Sequence, residues 1–269
     1  MTEVFAQLLR AHRTRHRWSQ ESLALEADVS ARHLSCLETG KARPSREMVL
    51  QLAGVLGLDL RERNALLVGA GFAPIHPSTP LDGAAMAPIH RAIEFLLAQQ
   101  EPYAAVVIDR CWNVLRVNGG GRRLLRTFLD PSEVSEAISQ NLVRATLHPE
   151  GLRRHVVNWG EVSSVVLERI ERAYHARPAD EGRRKLLEEV RAYPDVAGRL
   201  RCAPLGGAPV AMLHLRRGDD ELRLFTLLTS IGTPLDVTAE DLTLESFFPA
   251  DEATERWFGS RRHEIGSAS

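Results

Sequence analysis

The sequence predicts a multidomain chain, in which an all-α domain of five short helices is joined by a proline-rich connection to an α+β domain with an antiparallel sheet. Three observations lead there. Apolar residues recur at helical spacing through the first 72 positions, with Ser and Gly at the breaks. Pro74, Pro77, Pro80 and Pro88 then fall among small residues, a density that forbids a long helix. Beyond them, two short β-branched runs precede a block of helical segments, and three further strand-like runs close the chain. The boundaries expected are 1–72 for the first domain, 73–87 for the linker, 88–255 for the second domain and 256–269 for a flexible tail.

Bulk properties narrow the class without deciding it. A length of 269 residues suits two domains of ordinary size, and 44% hydrophobic with 26% charged residues is normal for a folded, soluble chain. The net charge of −1 points to no particular partner, but its distribution does. Between Arg10 and Arg46 eight cations (Arg10, Arg13, Arg15, Arg17, Arg32, Lys41, Arg43, Arg46) face only Glu21, Glu26, Asp28 and Glu38. A local excess of this kind is where a phosphate backbone would lie, and its modest size implies a dimer. Cys36, Cys111 and Cys202 are odd in number and lack a CxxC, so structural disulfides are not expected and a reducing cytoplasm is. No segment has a signal-peptide layout and no apolar run approaches ~18 residues, so no membrane association is expected.

In order, EVFAQLLRAHRT supplies a first helix with Val4, Phe5, Leu8 and Leu9 in phase, and Trp18 is expected to pack beneath it. Ser19 caps a second helix and Ser30 a third, separated by the small residues Ala24 and Ala27 and by Val29. Gly40 suits the left-handed position after a helix. On the third helix Leu34 and Leu37 share one face while Arg32, Ser35 and Cys36 share the other, with Ala31 at its exposed start. A thin apolar seam opposed by small and cationic residues suits a DNA major groove. Ser45 caps a fourth helix that Gly57 stops, and RERNALLVGAG adds a fifth.

The pattern Gln20-x-x-Leu23-Ala24, Val29-Ser30, Leu34, Leu37-Glu38-x-Gly40-Lys41 and Pro44-Ser45 resembles the phage-repressor (Cro/cI, or XRE) type of helix-turn-helix over residues 1–72. The resemblance implies a phage-repressor-like, five-helix fold bound to a double-stranded DNA operator. It also implies that Gln20 and Ser30 touch phosphates or flanking bases and that Ala31, Arg32, Ser35 and Cys36 read the groove. Lys41, Arg43 and Ser45 would face the backbone. Arg13 and Glu38 match a structural pair of that family and are left off the DNA surface. Cys36 departs from the polar amide more usual at its position.

In the second half, IHRAIEFLLAQQ gives a helix with Ile89, Ala92, Ile93, Leu96 and Leu97 on one face. YAAVVIDR and WNVLRVN read as a hairpin turning at Asp109-Arg110-Cys111, with Trp112, Val114 and Arg116 on one side. RRLLRTFL, NLVRATLH, LRRHVVNWGEVSSVVLERIERAYHA and EGRRKLLEEVRAY follow as helices. PVAMLHLRR and ELRLFTLLTSI make a second hairpin around Gly218-Asp219-Asp220, and LTLESFF a last strand. This order is that of a PAS-like domain. The runs AVVIDRCWNVLRVNGGGRRLL, NLVRATLHPEGLRRHVVNWGEV and FTLLTSIGTP with FFPADEATERW are similar to the ligand-binding domain of MmyB-like transcription regulators, over residues 88–255. That resemblance implies a DNA-binding regulator sensing a small apolar molecule such as a fatty acid.

Other residue patterns admit plainer readings. Gly119-Gly120-Gly121 could cradle phosphate, but without GxGxxG or GxxxxGK[ST] a tight strand-to-helix turn capped by Asn118 is favoured. His12 and His16, His148 and His155, and His214 form no recognisable metal set, and HExxH is missing. No GxSxG occurs, Cys111 has no nearby histidine, and Cys36 reads as an inert side chain or a redox switch. Trp112 and Trp159 are either core or the wall of an apolar cavity shared with Leu115, Phe128, Val162, Leu213 and Phe225. Arg183-Arg184-Lys185 reads as a solvated helix face. The expectation is a homodimeric regulator, not an enzyme, without cofactor or metal; the alternatives are a protein-interaction module or an uncharacterised enzyme in the second half.

Overall fold

The computed structural model describes residues 2–129, 134–196 and 210–259. The chain divides into two compact units, Met1–Met86 with Gly232–Glu240, and Ala87–Ile231 with Asp241–Ser269.

The first unit begins with five helices, α1 (Thr2–Arg15), α2 (Gln20–Glu26), α3 (Ala31–Glu38), α4 (Arg46–Val55) and α5 (Leu60–Gly69). Their starts follow from side-chain caps that satisfy otherwise orphaned amides. The hydroxyls of Ser19, Ser30 and Ser45 accept from Ser22 N at 2.9 Å, His33 N at 3.1 Å and Met48 N at 3.1 Å. Asp59 and Glu62 complete a reciprocal capping box at α5. Gly40 and Gly57 adopt φ of 71° and 59° after α3 and α4. Phe5, Leu9, Leu23, Leu34, Leu37, Leu52 and Leu66 are fully buried in one core, with Trp18 packed on its edge.

The proline-rich stretch is tied down rather than free. The side-chain amide of Asn64 on α5 donates to His76 O at 2.7 Å and accepts from Ile75 N and His76 N. Met86 is buried.

The second unit opens with α6 (Ala87–Gln99), β1 (Ala105–Ile108) and β2 (Val114–Val117). Next come α7 (Gly119–Phe128), α8 (Glu136–Ser139), α9 (Leu142–Leu147), α10 (Trp159–Ala176) and α11 (Glu181–Arg191). The sheet is completed by β3 (Leu213–Arg217), β4 (Asp220–Ser230) and β5 (Thr243–Pro249), all antiparallel in the order β2-β1-β5-β4-β3. Val106, Ile108, Leu222, Leu224 and Phe247 carry one sheet face into a core with Phe128, Val162 and Ile170.

Three local features differ from the sequence reading. Val107 pairs with Arg116 but Ile108 with Val114, which leaves Leu115 as the extra residue of a bulge. Strict alternation therefore fails: Val114 and Val117 both pack on the core, while Arg116 lies 3.9 Å from Glu94. The preceding turn runs one residue further than expected, with Trp112 at φ 62° and its N–H donating to Asp109 O at 3.0 Å. Arg183 is not a solvated cation; it is buried and donates to Arg110 O and Ala173 O, whereas Arg184 and Lys185 pair with Glu181 at the surface.

Between β4 and β5 the chain leaves the second unit and forms α12 (Val237–Glu240) within the first. There Val237 N donates to Pro77 O at 2.8 Å, Thr79 N donates to Asp236 Oδ2 at 3.0 Å, and Leu60 N donates to Glu240 Oε2 at 2.9 Å. After β5, α13 (Glu252–Gly259) buries Phe258 completely against the second core. The tail expected over 256–269 thus starts inside a helix, and residues 260–269 lie outside the described ones, as does Cys202.

A Cβ at Gly120 would sit 2.2 Å from Pro102 O and 2.6 Å from the carbonyl carbon of Tyr103, whereas one at Gly54 on α4 meets nothing within 4 Å. Gly120→Ala should cost at least about 2 kcal/mol in denaturant unfolding, while Gly54→Ala should gain about 0.5–1 kcal/mol. Equal effects of the two substitutions would contradict the packing.

His12 is 8% exposed beneath α5. Its pKa is held down to about 4, by burial first and then by Arg15, with Asp59 opposing. Glu62, 3.8 Å away, is already neutralised by Arg15 at 2.6 Å. The unfolded chain takes up a proton near pH ~6.5 that the folded head refuses. Stability is therefore complete above that pH and falls as pH drops toward 4. Unfolding followed from pH 7.5 to pH 5 should lose roughly 1–3 kcal/mol from this group. His12→Gln should flatten that part of the profile, and an unchanged profile would refute the assignment.

Candidate nucleic-acid interface and ligand cavity

α3 is only eight residues long, so its position is dictated by its buried face. Leu34 and Leu37 enter the core, and beside them the Glu38 carboxylate is almost completely buried. Arg13 of α1 grips it with Nε at 2.6 Å and Nη2 at 2.9 Å, and Gln20 at the start of α2 adds a third donor at 2.7 Å. The three helices of the motif are thereby locked together by one satisfied anion.

The opposite side of α3 is open. Ala31 and Arg32 are exposed, and Ser35 and Cys36 are half-buried on the same surface. Lys41, Arg43 and Ser45 are exposed on the loop that follows, and Ser30 is exposed while capping α3. Gln20 lies at the edge of this surface with one amide hydrogen committed to Glu38. Arg13 and Arg15 are engaged internally by Glu38 and Glu62. Of the eight cations counted in the sequence, Arg10, Arg17, Arg32, Lys41, Arg43 and Arg46 are exposed.

In the second unit, Trp112, Phe128 and Val162 join one buried cluster, with Trp159 and Leu213 packed against it. The interior cavity there, touched by Leu213, holds only about 40 Å³, little more than the ~30 Å³ of one water. Leu115 and Phe225 are not brought into that cluster. Leu115 sits in the bulge, and Phe225 lies on the other sheet face, stacked on Phe248 at 5.6 Å. Cys111 is half-buried, and its burial pushes the thiol pKa up, which disfavours a thiolate nucleophile. The triplet amides are already occupied: Glu101 accepts from Gly119 N and Gly120 N, and Asn118 Oδ1 from Gly121 N. No group of three or more His, Cys, Asp or Glu among the described residues is placed to hold a metal ion.

A larger cavity, about 260 Å³, lies on the other side of the sheet. Its walls are Ile89, Ala92, Ile93 and Leu96 of α6, Val107 of β1 and residues at the adjoining ends of β4 and β5. Sequence periodicity picked out this face of α6 as apolar but held no sign that it would stand over an open space.

No helix of the described residues is long and apolar enough to cross a membrane. A family model for a helix-turn-helix domain matches residues 4–66. Another, for the MmyB-like transcription regulator ligand binding domain, matches residues 89–259. A search of curated proteins returned no match. The locked three-helix motif with its open basic face, and the sheet-and-helix domain that follows it in the sequence, are therefore the DNA-binding and ligand-binding parts of a ligand-regulated transcription regulator, and the chain belongs to the MmyB-like transcription regulators.

Proposed function

We infer that the protein is a cytoplasmic, homodimeric operator-binding regulator of the phage-repressor (XRE) type, whose second domain responds to a small apolar molecule such as a fatty acid. The observation that carries the DNA reading is the two-sidedness of α3, with Leu34, Leu37 and Glu38 buried and Ala31, Arg32, Ser35 and Cys36 turned outward. Arg32 enters the major groove and supplies the one long cationic donor for a base edge. Ala31, Ser35 and Cys36 bring the helix close to the bases. Gln20, Ser30, Lys41, Arg43 and Ser45 hold the phosphates on either side. Two heads on one duplex read half-sites roughly 34 Å apart, so a small change in their spacing alters affinity steeply. Large exposed apolar side chains on the second unit, Phe95 at 62% and Leu227 at 51%, support a dimer through that domain.

Selection of a preferred operator from random DNA, followed by titration, tests the interface. Arg32→Ala should cost about 1–3 kcal/mol on the preferred site and relax its sequence preference. Lys41→Ala or Arg43→Ala should weaken all sequences alike and reduce the salt slope by about one. An unaltered preference in Arg32→Ala would place α3 outside the groove. For the sensor, organic extraction of the purified protein and mass spectrometry should yield a lipid-like molecule whose removal changes operator affinity. Identical affinities with and without it would leave a DNA-binding protein with an interaction module in place of a sensor.

A further inference from the structure

We propose that the cavity between α6 and the outer face of the sheet is the ligand site of the sensor, and that it takes one unbranched acyl chain of about eight or nine carbons.

The volume sets the size: about 260 Å³, at roughly 30 Å³ per water-sized group, accommodates that number of methylenes. The lining sets the chemistry. Aliphatic side chains from α6, β1 and β5 make the walls, and the polar groups there are the hydroxyls of Thr229, Ser230 and Thr243. No charged side chain lines the space, so a carboxylate would remain at the open rim and an alcohol would serve as well. The interior cavity touched by Leu213 offers only about 40 Å³, and a pocket of about 280 Å³ beside Leu125 and Leu129 carries the charged Arg126 and Glu136 in its lining.

The position supplies the consequence. The chain passes between the two compact units at three places, after Met86, after Ile231 and after Glu240. Pro88 and Ile89 follow the first crossing, Ser230 and Ile231 precede the second, and Leu242 and Thr243 follow the third; all six line this one cavity. A chain inserted there must displace or order the residues through which every covalent connection to the head leaves the sensor. The three crossings therefore share a single apolar wall, which a ligand fills or leaves empty.

The assignment rests on the sensor reading above but can fail without it. The full-length protein is titrated with decanoic acid and with 1-decanol, and photolabelled with a decanoic acid bearing a terminal diazirine. The two probes should bind comparably, and saturable labelling should map to peptides within 88–96 and 229–244. Ala92→Phe and Thr229→Phe both place a ring into the space from exposed positions. Each should weaken binding by about tenfold or more without lowering the unfolding midpoint. Labels concentrated in Gly119–Leu147, binding of decanoate but not decanol, or unweakened binding in both variants would overturn the site. Operator affinity that still responds to an extracted ligand would then preserve the regulator and discard only this location. Loss of saturable labelling altogether would likewise overturn the site.

Discussion

The head is organised around one buried anion. Glu38 stands at the end of a helix too short to persist alone, and its carboxylate is nearly removed from water. Such a charge is tolerated only when its oxygens are satisfied, and Arg13 and Gln20 satisfy them from the two preceding helices. The placement of α3 thus depends on an interaction on its buried side, away from the exposed Ala31 and Arg32. Arg13 is also removed from the cations available to phosphate, so the DNA-facing charge is smaller than the sequence count suggests.

A second polar set holds the rest of that unit. The first amide of α5 would be an orphan at a helix start, and the carboxylate of Glu240 accepts it, placing negative charge where the helix dipole favours it. Asp236 meanwhile accepts from Thr79 and from its own turn. Burial alone would raise the pKa of Asp236, but these hydrogen bonds hold it below the ordinary carboxylate range. The head's last helix is therefore completed by a segment threaded between two strands of the other unit. Partial synthesis or truncation before that segment would leave both the α5 amide and the 77–79 backbone without their partners.

Much of this was legible in the sequence because it is local. Ser19, Ser30, Ser45 and Asn118 announce helix starts by residue type, and Leu34 and Leu37 declare the buried side of α3 by spacing alone. The arrangement of two strands before a helical block and three after it followed from counting strand-like runs, whereas their order in the sheet did not. What escaped was set by contacts distant in the chain. The bulge at Leu115 depends on how β2 meets β1, and it breaks the period of two on which the hairpin reading relied. Arg183 looks like any surface cation until Ala173 and Arg110 offer it carbonyls. The segment Gly232–Glu240 carries no signal of its own that it packs on a helix some 180 positions earlier.

The pocket illustrates the same limit in sharper form. Trp112, Phe128 and Val162 look like a cavity wall because cavity walls and cores share a composition, and here they close on one another. Ile89, Ala92, Ile93 and Leu96 look like an ordinary amphipathic stripe because periodicity reports which side of a helix is apolar, not how close its neighbour comes. The distinction lies in the distance between α6 and the sheet, a quantity fixed by side chains on both surfaces at once. Small Ala92 on one side and the β-branched Val107 and Thr229 on the other leave more space than they fill. An unfilled apolar volume loses contacts on every wall, so occupancy by a hydrocarbon chain restores packing that the protein's own atoms do not supply.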